Sequence, residues 1–95
     1  KPRRKKKIEP ADLPIAEVLW VDAEDIGDVG WNDLDELLTK AAEPCPTMRS
    51  VGYVLHHDES HISLLSTIGP QECSSLEKVP AEFLKSVEYL RGEQE

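Results

Sequence analysis

Residues 49–68, RSVGYVLHHDESHISLLSTI, constrain the fold more than any other stretch of the chain. Val51, Tyr53 and Leu55 recur at every second position, as do Ile62 and Leu64 beyond them. A period of two lines one face of a strand, and the intervening HHDES (56–60) is polar and turn-forming. The pattern therefore predicts a β-hairpin. Gly52 lies inside its first arm, where a missing Cβ weakens a flat strand but suits one that bends sharply, as at the corner of a small barrel.

The remaining chain supplies partners for that hairpin. With 95 residues there is room for one domain, burying about 60–70% of its unfolded surface. IAEVLWVD (15–22) reads as the first strand, since Val18, Leu19, Trp20 and Val21 are apolar on both faces, as in a sheet covered on both sides. NDLDELLTKAA (32–42) is helical by spacing: Leu34, Leu37, Leu38 and Ala41 fall at i, i+3, i+4 and i+7. Asn32 is the expected N-cap, Asp33, Asp35 and Glu36 suit the positive end of the helix dipole, and Pro44 and Pro46 end the helix. Trp31 is expected to staple this helix onto the body. GPQECSS (69–75) is a turn, and SLEKVP (75–80) a short strand ended by proline.

The segment from Ala81 to Leu90 has two readings. Phe83, Leu84, Val87 and Leu90 match a helical stripe. Alternatively, 81–84 form one 3₁₀ turn and 85–90 a closing strand in which Val87 and Tyr89 alternate. The preceding hairpin favours the strand, because a further strand would close its open edges. The expected organisation is a disordered basic tail and proline-containing linker over 1–14, a small β-barrel domain over 15–91, and a frayed end over 92–95.

Charge divides the chain unevenly. All 19 acids lie after residue 7, and residues 8–95 carry five basic groups, for a formal −14 within the overall −8. So acidic a body repels nucleic acid, whose phosphates are bound chiefly by Lys and Arg. The tail KPRRKKK (1–7) is the exception, and Arg3, Arg4, Lys5, Lys6 and Lys7 could serve as a nucleic-acid arm. It reads equally as a solvated tail or as the end of a longer protein. No apolar run approaches the roughly 20 residues needed to cross a membrane as a helix. The two cysteines, Cys45 and Cys73, are too few for a disulfide framework, and reduced thiols in a cytoplasm are expected.

No metal or cofactor is assigned. Asp22, Glu24, Asp25 and Asp28 crowd one loop, but their order does not match a calcium-binding EF-hand. His56, His57 and His61, with Asp58 and Glu59, are zinc-type donors. Adjacent His56 and His57 would point to opposite faces of a strand, whereas metal ligands must converge. No catalytic constellation can be defined from residue order either, so no enzymatic activity is expected.

The order of pieces resembles small SH3-like and Sm-like barrels: strand, helix-containing loop, glycine-bent strand, hairpin, short strand, V-P-x-x-x-L-x-x-V turn and final strand. More narrowly, VLWVDA (18–23), RSVGYVLHHDE (49–59) and VPAEFLKSVEYL (79–90) look like a group of small phage- and prophage-encoded proteins. The resemblance covers residues 15–90. It implies a five-stranded barrel with one short helix inserted after the first strand, in the cytoplasm of a bacterial host cell. It carries no activity with it. Sm-like barrels pair edge strands into rings and many bind RNA, but only Lys40, Arg49, Lys78, Lys85 and Arg91 supply cations to this folded part.

These features favour a non-enzymatic, oligomeric accessory module that engages a host or phage protein or counters a host process. Exposed aromatics and Arg commonly anchor such contacts, making Trp20, Trp31, Arg49 and Tyr53 the candidates, together with Asp22. One alternative is nucleic-acid binding through the basic tail on an Sm-like oligomer, with a steep salt dependence that disappears on deleting 1–7. Another is a small-nucleotide sponge with a site between subunits, using Asp22, Arg49 or the histidines.

Overall fold

The computed structural model describes residues 9–92 of the chain. Its strands are β1 (Ile15–Val21), β2 (Thr47–His57), β3 (His61–Leu65), β4 (Leu76–Pro80) and β5 (Leu84–Arg91). They form one antiparallel sheet in the order β4-β3-β2-β1-β5. The α-helix α1 (Leu34–Ala41) interrupts the connection from β1 to β2, and 3₁₀ turns occupy Pro10–Asp12 and Ala81–Phe83. The fold is therefore mainly β, with its short helix after the first strand. The final segment resolves as a turn and a strand, not as a helix.

The sheet is open, because β4 and β5 do not pair with each other. It is nevertheless tightly curled. Only the three residues Ala81–Phe83 join these two edge strands. Four inter-strand spacings of about 4.8 Å would hold flat edges about 19 Å apart, and a three-residue 3₁₀ turn rises only about 6 Å. The 3₁₀ turn is anchored where Ala81 N–H donates to Ser60 O at the hairpin tip (2.8 Å).

The buried core is Ala16, Val18, Val54, Ile62, Leu64 and Val79, flanked by half-buried Trp20, Leu84, Val87 and Tyr89. The Val51, Tyr53, Leu55 alternation lies on the other face of β2. Val51 and Leu55 are exposed, whereas Gly52 and Val54 are buried. Gly52 is there because β3 passes so close. A Cβ at this position would sit 2.6 Å from the Leu65 carbonyl oxygen and 3.3 Å from Leu64 Cβ. The requirement is for space and not for backbone angle, as its φ is not positive.

Residues 9–14 are held against the sheet. Val54 N–H donates to Pro14 O (2.8 Å). Arg91 Nη2 donates to both Pro10 O (3.0 Å) and Leu13 O (2.6 Å), fastening the segment to the end of β5. Cys45 and Cys73 are both exposed and unpaired.

Candidate functional site

Residues 22–46 leave the sheet after Val21 and return opposite it at Thr47. Asp22 N–H donates to Pro46 O (3.1 Å), which closes the base of this arm. Further out, Asn32 and Asp28 bond twice: Asp28 N–H to Asn32 Oδ1, and Asn32 Nδ2 to Asp28 O, each at 3.0 Å. Asn32 is thus engaged in the loop, and the N-cap of α1 is Asp33 instead. The Asp33 carboxylate accepts from Glu36 N–H (2.9 Å), satisfying one of the free amides of the first turn. Gly27 and Gly30 turn the loop at φ 108° and 105°, angles that favour glycine.

The apolar stripe of α1 is only partly covered: Leu37 is half-buried beside Ile26 and Gly27 of the preceding loop, while Leu34 and Leu38 are exposed. No residue of the helix is buried. Trp31 is 99% exposed, Leu34 69% and Leu38 59%, with Ile26 and Val29 also exposed beside them. Trp31 is therefore not a staple to the body, contrary to the sequence expectation. Amphipathic spacing reports which face is apolar but not what lies over it. Eight acids and a single Lys40 share residues 22–46, so the surface is both apolar and strongly acidic. An eight-residue helix that buries none of its residues is marginal in water.

The other sequence-selected residues do not gather into one site. Trp20 packs against the core, and its Nε1 donates to Ser50 Oγ (3.0 Å). Asp22 marks the base of the arm. Arg49 Nη1 pairs with Glu17 Oε2 across β1 and β2 (3.0 Å) in an exposed position worth little to stability. Tyr53 stands opposite Ile15, at the far end of β1, with the Arg91 guanidinium 6.0 Å from its ring centre. At about 3.3 Å per residue, Tyr53 and Asp22 are separated by roughly 20 Å of strand. Arg3, Arg4, Lys5, Lys6 and Lys7 lie outside the described residues.

A second cluster sits at the hairpin tip. Asp58 N–H donates to His61 O (3.0 Å), and Asp58 Oδ1 accepts from Ser60 N–H and Ser60 Oγ (2.8 Å each) and from His61 N–H (3.2 Å). His56 Nε2 donates to Asp58 Oδ2 (2.8 Å). The His56 bond, with those from Ser60 and His61, holds the Asp58 carboxyl well below the usual carboxylate range. Its contribution to the folded turn is therefore present above the ordinary carboxylate range and fades as the pH falls toward the depressed value.

A β-bulge decides which histidines meet. Val54 pairs with Leu64, but the next pairs are His56 with Ser63 and His57 with Ile62. The extra residue reverses the parity of the strand beyond Val54. His57 consequently joins the core face, sharing a 2.6 Å hydrogen bond with Tyr89 Oη. His56 takes the opposite face and stacks on His61, with ring centres 4.9 Å apart at 19°. Among the described residues, no helix is long and apolar enough to cross a membrane. No family model, curated protein or solved structure matches the chain significantly.

Proposed function

We propose that this chain is a non-enzymatic binding module that grips the basic surface of a partner protein with the arm over residues 22–46. The observation that carries this is the exposure of Leu34 and Leu38 on a helix that buries none of its residues, with Trp31 exposed in the loop just before its N-cap. Large apolar side chains left this exposed close together in the chain are what an interaction surface offers. Leu34 and Leu38, at i and i+4 of α1, suit an amphipathic helix laid into a groove, with Trp31 as a further anchor from the preceding loop. The eight surrounding acids select a basic rim and repel nucleic acid or an anionic bilayer.

The resemblance of residues 18–23, 49–59 and 79–90 to small phage proteins is what favours a phage accessory role, with a host protein as the partner. The curled sheet and the 3₁₀ turn before its last strand support an SH3-like/Sm-like reading of the fold. The free edges of β4 and β5 are what pairing between copies would use.

A photo-crosslinking side chain at Leu38 tests the proposal in host cells, with the same group at Glu82 on the 3₁₀ turn as the comparison. The expected result is a discrete adduct with a basic protein from Leu38 alone. Adducts from Glu82 and none from Leu38 would overturn it.

A further inference from the structure

We propose that His56, Asp58 and His61 form a binding site for a first-row divalent transition ion of the Zn2+ class at the β2–β3 hairpin tip. The inference stands on the hairpin alone and does not depend on the arm. One ligand atom from each of the three residues can be chosen so that all lie within 4.8 Å of one another. Zinc holds His nitrogen and carboxylate oxygen at about 2.0–2.2 Å, which places ligand atoms about 3.3–3.5 Å apart in a tetrahedral site. Asp58 Oδ2 is already 2.8 Å from His56 Nε2, and Asp58 Oδ1 is 3.7 Å from His61 Nδ1. Loading requires His61 Nδ1 to exchange its 2.6 Å contact with Ser60 Oγ for the ion, and one of the stacked rings to turn so that both lone pairs converge. Both are side-chain movements on a fixed hairpin.

The backbone holds these side chains in place. The bulge after Val54 brings His56 onto the face of His61, and the Asp58 turn projects its carboxylate between them. Two imidazoles and one carboxylate suit Zn2+, Ni2+ or Cu2+, whereas Mg2+ and Ca2+ want oxygen throughout. His57 is drawn away to Tyr89 and takes no part. Three protein donors leave at least one position open, and all three residues reach solvent, so water or a donor from a partner completes the coordination. A ligating imidazole must present a lone pair, so ion binding at His56 Nε2 displaces its hydrogen bond to Asp58 Oδ2.

The test uses the full chain carrying Cys45→Ser and Cys73→Ser, since both thiols are exposed and would compete for the ion. After chelator stripping, the protein is titrated with Co2+ by visible absorption and with Zn2+ by calorimetry, and circular dichroism checks each variant. One equivalent should bind with the d–d bands of a low-coordinate site. His56→Ala and His61→Ala should each weaken binding by about 100-fold, and Asp58→Asn by about tenfold or more. Glu59→Gln, a non-ligand on the same turn, should bind as the parent does. Absence of binding by the parent at micromolar Zn2+ would overturn the proposal. So would unsaturable uptake, or equal affinity in a folded His56→Ala/His61→Ala double variant.

Discussion

Gly52→Ala should cost about 1–3 kcal/mol of folding stability, and Gly52→Val should leave little folded protein. The first added carbon would meet the Leu65 carbonyl oxygen at 2.6 Å, a separation that real Cβ atoms essentially never show. That neighbour is backbone, so it cannot rotate away as a side-chain tip would. Relief requires β3 to move outward, and β3 carries Ile62 and Leu64 into the core. Val adds two further methyls in the same crowded space. A domain of this size is stable by only about 5–10 kcal/mol, so the larger substitution consumes most of the margin. Urea denaturation of the three proteins reads the effect directly. An unchanged midpoint in Gly52→Ala would mean that β2 and β3 do not cross this closely.

Trp31→Ala should do the reverse, leaving stability within about 0.5 kcal/mol while weakening partner binding by about 2 kcal/mol or more, roughly thirtyfold. The indole is 99% exposed, so its removal takes nothing from the core. Large aromatic anchors account for a disproportionate share of interface energy, and Trp31 is the largest side chain on the arm. A matched thermal melt and binding titration separates the two readouts. If Trp31 instead packed the helix onto the sheet, the melting temperature would fall. If the arm were only a connector, affinity would not change.

Much of the sheet was legible because alternation and turn chemistry are local signals. The strands around Val18 and Val79, the hairpin tip and the turn before β5 all follow from them. Which face of β2 is buried was not legible. Apolar alternation drew attention to Val51, Tyr53 and Leu55, while the true inner face carries Ser50, Gly52 and Val54. A glycine that exists to admit a neighbouring backbone adds nothing to a hydrophobic pattern.

The histidine cluster was hidden for a related reason. Strict alternation inward from Val54 would put His56 on the core face and leave His57 with His61. One bulged residue exchanges the two, and a bulge set by pairing with β3 leaves no mark in β2 alone. The helix itself was legible, but its solvation was not. Leu34 and Leu38 have the spacing of a packed helix whether the surface they cover belongs to this chain or to another.

Amide hydrogen exchange of Leu34–Ala41, measured in the free protein and again in the complex captured by the crosslink, is the most direct test of that distinction. An eight-residue helix that buries none of its residues should exchange rapidly when free and become protected when bound, as its exposed apolar face is covered and its backbone is ordered. Strong protection in the free monomer, or none in the complex, would contradict the assignment of the arm as the binding surface.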